Sequence, residues 1–277
     1  MLLNVYIYLI VIISYNIYNN IKDLPFSYIT QTNYSLCEKM NNTFCIRIAY
    51  LVMAIIVYLL TINYINLTLP TEPPQVINTI TNDNPSYFGF GSLVGGGISI
   101  ISYILNIIFG FSSFNGFKEN SLVDITKNLT TIFSGMIMTS FTEELIFRGL
   151  LIGITKQFLN STICVFLSAL VFGYVHLNSS LKYGISAFIS GILLGFGYLR
   201  YGLYWCVGFH ALFNFIETSF YTITNTVVYN KLMCGERRTP DEDGIMTPLI
   251  EIIVLYFFYY FGYFSSIQIN FNNIISH

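Results

Sequence analysis

The chain has 277 residues, of which 54% are hydrophobic, 17% aromatic and only 9% charged. A soluble domain carries about 25% charged residues, so this chain lacks the polar surface to cover a water-soluble globule, and its natural solvent is a bilayer. Its net charge of -2 gives no footing for nucleic acid or any other strongly charged partner.

A helix that crosses the hydrocarbon core needs about 20 mostly apolar residues. Apolar runs near 2–18, 47–66, 97–114, 126–154, 163–178, 183–199, 203–222 and 248–266 supply roughly eight such spans. They predict an all-α fold, a polytopic transmembrane helix bundle that forms a single integral membrane domain over 1–277. The expected setting is multi-pass, in the cell membrane rather than an internal one. The first run has no basic residues before it and no small-residue cleavage site, so it reads as a retained helix.

Between the second and third runs, "TLPTEPPQVINTITNDNPSYFGFG" leads into glycines 95–97. Its prolines, glycines and asparagines predict a long loop. The densest charge cluster, "NKLMCGERRTPDEDG" at 230–244, reads as a solvated loop beside the membrane.

Of the five cysteines, none forms a Cys-x-x-Cys pair, so a zinc knuckle is not indicated. Cys164 and Cys206 lie in apolar runs as core fillers. Cys37 and Cys45 share one loop and could bridge on an oxidising side. Lysines and arginines concentrate in the loops after the odd-numbered spans, from Lys22 to Arg238, whereas the alternate loops hold only Lys156 and Arg200. That bias puts the first set in the cytoplasm, where Cys37 and Cys45 would be free thiols.

The fourth run contains "SFTEELIFRG" at 140–149. A charge at mid-bilayer costs several kcal/mol, so three in a turn and a half need partners or a purpose. Residues four apart on a helix nearly eclipse, so Glu144 and Arg148 can pair on one face. Glu143 sits one step round and is not matched by that arginine. An unpaired carboxylate in a low-dielectric place suits a proton acceptor working near neutral pH. A buried ion-pair cluster that only fixes helix packing would account for Glu144 and Arg148, but not for Glu143.

His176 lies in "VFGYVHLN" and His210 in "VGFHALFNFIE". Phe172 is four residues before His176, so its ring can pack beneath the imidazole. His210 and Asn214 are likewise four apart and can aim two hydrogen-bonding groups at one point. A lone membrane histidine is often an interhelical hydrogen bond. Two of them, with a paired-glutamate turn and an asparagine, point to one convergent site. Glu217, seven residues after His210 on the same face, reads as a helix-end residue in water rather than a further member of the site, and Trp205 as an interface anchor.

"EELIFRG", "FGYVH" and "HALFN" occur in that order on successive groups of apolar spans. In this the chain resembles the CPBP intramembrane protease family. That family includes the CAAX prenyl endopeptidases of the Rce type and bacteriocin-processing or self-immunity relatives. The resemblance covers about residues 126–222, the motif-bearing core. It implies an intramembrane endopeptidase with a glutamate-activated water. Glu143 would activate that water with the help of His176, and His210 and Asn214 would bind the oxyanion. Glu144 and Arg148 would brace the helix, with Phe172 as site support. The implied partners are the bilayer and a peptide or protein substrate, prenylated or otherwise membrane-anchored, with no nucleic acid.

Two histidines and a carboxylate could hold zinc with an open position for water, but the chain has no His-Glu-x-x-His helix. The resemblance implies a metal-independent reaction, with no cofactor. A non-catalytic membrane scaffold or bacteriocin self-immunity protein is the alternative. A proton-coupled transporter is disfavoured by the lack of an inverted repeat.

Overall fold

The computed structural model describes residues 84–118, 121–156, 158–177, 180–235 and 244–262, with the isolated helical positions Val52, Ile55 and Leu59. Apart from those three positions, the expected spans 2–18 and 47–66 and the loop of Cys37 and Cys45 lie outside the described residues.

The described part is mostly helical, in the chain order the apolar runs predict. Helix α1 is Tyr87–Ile108, α2 is Leu122–Glu144, α3 is Ser161–His176, α4 is Leu181–Tyr201, α5 is Leu203–Ile223 and α6 is Met246–Tyr260. Local chemistry fixes their starts. Ser121, Asn160 and Ser180 each accept a backbone N–H three residues on, capping α2, α3 and α4. Gly202, at φ 84°, makes the sharp break between α4 and α5; that backbone region is open to glycine at little cost.

The sheet corrects the all-α expectation. Strand β1, Ser112–Phe117, pairs antiparallel with β2, Thr224–Val228. The apolar run at 97–114 was expected to stay helical to its end. It instead turns at Gly110, φ 72°, just after α1 stops. The Phe111 carbonyl then accepts the N–H groups of both Tyr229 and Asn230. A short apolar run does not distinguish helix from strand by hydropathy alone.

A second correction concerns glycines 95–97, expected in a loop and found inside α1. Gly91 and Gly95 are four apart on the face of α1 that packs against α5. A β-carbon at Gly91 would overlap the Trp205 carbonyl, and one at Gly95 the Phe209 carbonyl. From the other side, a β-carbon at Gly208 would overlap the carbonyl of Phe88. These glycines let two helix backbones touch, as small residues spaced by three do between membrane helices. Helices α3 and α4 meet in the same way, through Gly173, Gly184 and Gly191.

The core lies between α1, α4 and α5. Trp205 is wholly buried there, against Gly197, Tyr201 and Phe209, and is therefore no interface anchor. Its start-of-span position suggested a rim, but the contact with α1 covers that rim. Cys164 and Cys206 are buried and form no disulfide among the described residues. The faces turned outward are apolar, with Leu93 and Ile108 on α1, Leu170 and Tyr174 on α3, and Ile253 and Tyr256 on α6 all well exposed. Among the described residues, α1 and α4 are both long and apolar enough to cross a membrane, and α3 and α6 are shorter apolar helices.

The tight contact of α1 on α5 makes a prediction with an internal control. Gly95→Ala should destabilise the protein by about 1–3 kcal/mol, the usual cost of overpacking. Gly97→Ala, whose β-carbon meets nothing within 4 Å, should be neutral or stabilising by up to about 1 kcal/mol through helix propensity. Thermal midpoints in one detergent check both.

Candidate active site

Helix α2 does not continue as an α-helix past its glutamates. Residues Leu145–Ile152 form a π-helical stretch, all eight of them buried, before a last α-turn at Gly153–Thr155. Such insertions are uncommon and gather at functional sites. Here the widened turn is held from α3, where Ser168 donates to the Phe147 carbonyl at 2.8 Å. The Phe147 ring meets Phe172 edge to face at 5.0 Å.

Glu144 stands at the junction. Its Oε1 accepts from Arg148 Nη1 at 2.8 Å, and both side chains are 0% exposed. The same oxygen lies 2.7 Å from Nδ1 of His210, on α5. A carboxylate accepts, so Nδ1 carries the hydrogen and the other ring nitrogen, Nε2, faces away from Glu144. It faces Glu143, whose Oε2 is 3.9 Å off. That is too long for a direct hydrogen bond, but one water could touch both atoms at about 2.8 Å. Glu143 is 12% exposed at its side chain, against none for Glu144. The two adjacent glutamates thus occupy different environments.

Helix α3 supplies the second imidazole. Nδ1 of His176 lies 2.7 Å from the carbonyl of Phe172, one turn back. A carbonyl only accepts, so Nδ1 again holds the hydrogen and Nε2 is the basic nitrogen of the neutral ring. Phe172 packs against His176 at 4.4 Å between ring centroids and meets His210 edge-on at 6.2 Å. The Arg148 guanidinium carbon sits 4.5 Å from the Phe172 centroid, within cation–π range. One aromatic ring therefore touches the cation of the π-helical stretch and the imidazoles of α3 and α5.

Phe172, His176 and His210 border a cleft that Asn214, Ser190 and Glu251 also line. Asn214 follows His210 by one turn of α5 and faces the same space. So Glu143, Glu144, Arg148, Phe172, His176, His210 and Asn214 come from three helices into one region. Among the described residues, no three His, Cys, Asp or Glu side chains are grouped as a metal ion requires.

Two glutamates change from expectation. Glu217 is 1% exposed and is not a helix-end residue in water; α5 runs six residues further, to Ile223, and buries it. Glu251, on α6, was not singled out in the sequence. It is also buried, and it accepts from Ser190 Oγ. Its signal was present, as the lone charge in the apolar run "PLIEIIVLYFFYYF", but no second motif residue lay beside it.

Comparison with known proteins follows the same residues. No curated protein and no solved structure matches the chain. Residues 125–216 match the family model described as type II CAAX prenyl endopeptidase Rce1-like. This stretch contains all seven residues of the three motifs.

Proposed function

We propose that this protein is an intramembrane endopeptidase that hydrolyses a peptide bond with a water activated by Glu143. The observation that carries the reading is the position of His210, hydrogen-bonded through Nδ1 to a buried carboxylate and facing a second carboxylate across 3.9 Å with Nε2. One ring nitrogen is thereby fixed, and the other is aimed at the more open glutamate. A structural ion pair needs only the first contact.

In this reading water binds between Glu143 and the Nε2 lone pair of His176. Glu143 takes a proton from it, and the hydroxide adds to the scissile carbonyl carbon. The carbonyl oxygen becomes an oxyanion, which accepts from the Asn214 amide and from Nε2–H of a protonated His210. Glu144 is then the counter-ion of that imidazolium, as an orienting carboxylate is in a catalytic triad. Glu143 passes its proton to the amide nitrogen, the C–N bond breaks, and an acid and an amine leave. No metal enters these steps.

The outward apolar faces of α1, α3 and α6 fit a bilayer rather than water, and we read the chain as multi-pass. The substrate is then a peptide or a membrane-anchored protein that reaches a water-holding cleft inside the helices. Prenylated and unprenylated chains both fit this reading.

Purified protein in detergent, given fluorescent peptides with and without a prenyl group, tests the chemistry. Wild type should cleave at least one. Glu143→Gln and His176→Ala should each lose about 10²–10⁴-fold in kcat, the worth of general acid–base help. Asn214→Ala should lose about 10²–10³-fold, the worth of one oxyanion donor. Chelator should change nothing; loss of activity on chelation would move the reaction to a metal-bound water. Folded wild type that cleaves no peptide, and Glu143→Gln that matches it in every property, would favour a scaffold.

Stability should separate the two glutamates in the opposite sense. Arg148→Ala strands the Glu144 carboxylate and should cost about 3–5 kcal/mol. Glu143→Gln should stay within about 0.5 kcal/mol of wild type, as substitutions that break no buried contact do. Denaturation in mixed micelles gives both values.

A further inference from the structure

Glu251 has no role in the steps above, yet it lines the same cleft as His176, His210 and Asn214. It lies on α6, beyond the family match, and is 1% exposed. Its two carboxyl oxygens are 2.7 and 2.8 Å from a single hydroxyl, Ser190 Oγ on α4. A hydroxyl has one hydrogen, so it serves one of those oxygens at a time. Among the described residues Ser190 is the partner of Glu251, and no lysine or arginine among them lines the cleft. The contrast with Glu144 is direct. That carboxylate meets a guanidinium and an imidazole, while Glu251 meets one alcohol.

Its place along the cleft follows from α4. Tyr183 and Ser190 are two turns apart on the face that lines the cleft, a rise of about 10 Å. The Tyr183 ring stands edge-on to His176 at 5.0 Å, and Ser190 holds Glu251. An extended peptide advances about 3.3 Å per residue. A chain whose scissile bond lies at the histidines therefore brings a side chain a few residues away alongside Glu251.

Building on the protease reading, we infer that Glu251, oriented by Ser190, is a specificity residue that receives a lysine or arginine side chain of the peptide substrate inside the cleft. The ammonium or guanidinium donates to the oxygen that Ser190 is not serving and brings a cation into the cleft. Charge-assisted bonds of this kind are the stronger ones, and more so away from water.

Binding to the Glu143→Gln protein tests this without hydrolysis. Fluorescent peptides that differ at one position, lysine against norleucine, are scanned along their length. At one position lysine should bind about tenfold tighter, within the range of one hydrogen bond to a charged group. Adding Glu251→Gln should bring that ratio to about one, and Glu251→Asp should restore part of it. In the hydrolysing protein, Glu251→Gln should raise KM for the lysine peptide alone and leave kcat unchanged, whereas a packing role would affect both peptides alike. Ser190→Ala, which keeps the carboxylate but loosens it, should lower the preference by about threefold and serves if Glu251→Gln does not fold. A lysine preference indifferent to both substitutions overturns the inference, as does binding of neither peptide. A preference that depends on Glu251 in a protein that cleaves nothing upholds the subsite and overturns the protease reading instead.

Discussion

One oxygen of Glu144 accepts from Arg148 at 2.8 Å and from His210 at 2.7 Å, with the pair of charged side chains out of contact with water. This shared acceptor locates most of the other groups. It ties the end of α2 to α5 and fixes which nitrogen of His210 holds its hydrogen. It also holds Arg148 where the guanidinium can lie 4.5 Å from Phe172, the ring on which His176 packs. Both imidazoles are thus placed by one carboxylate, one directly and one through an aromatic ring. A buried ion pair adds little net stability when complete and is costly when half removed. Its value here lies in specifying an arrangement.

That arrangement needs a backbone able to bring three helices to one point. The π-helical stretch after Glu144 widens the turn that carries Arg148, and Ser168 secures it from α3. On the other flank, the glycines of α1 let it lie on the backbone of α5 at Trp205 and Phe209. Phe209 precedes His210, so the closeness of α1 sets where that imidazole stands. In a lipid setting no hydrophobic force drives helices together, and close packing of small residues takes over part of that task. The same glycines that look like loop formers in the sequence are what hold the site rigid.

Much of this was legible in the sequence. The spacing of Glu144 with Arg148, of Phe172 with His176 and of His210 with Asn214 is a helical statement, and all three pairs are in helices; the last two line one cleft, and Glu144 reaches it through His210. Helix ends were less legible. The start of α2 at Leu122 is hidden because Asp124, Thr126 and Lys127 interrupt the apolar run, although Ser121 followed by Asp124 is a cap signal that Ser121 uses. The π-helical stretch was not legible at all, since "LIFRGLLI" has no composition that separates it from an α-helix. Trp205 and Glu217 were misjudged because burial depends on a neighbouring helix that span counting does not supply. The strand pairing joins residues more than 100 positions apart, beyond the reach of any local pattern.

The three carboxylates around the cleft differ in what surrounds them, and that difference sorts them better than their spacing does. Glu144 has two nitrogen donors at one oxygen, so its charge is compensated inside the protein. Glu143 has the Nε2 of His210 at 3.9 Å and keeps some exposure, so a small molecule can stand beside it. Glu251 is about as buried as Glu144 but, among the described residues, meets only an alcohol. A protein interior retains a group so poorly matched only where something from outside completes it or where its strain is of use. Adjacent residues in a motif can therefore be unlike in chemistry, and a residue outside every motif can belong to the site. What decides each case is the number of donors that reach the oxygen atoms.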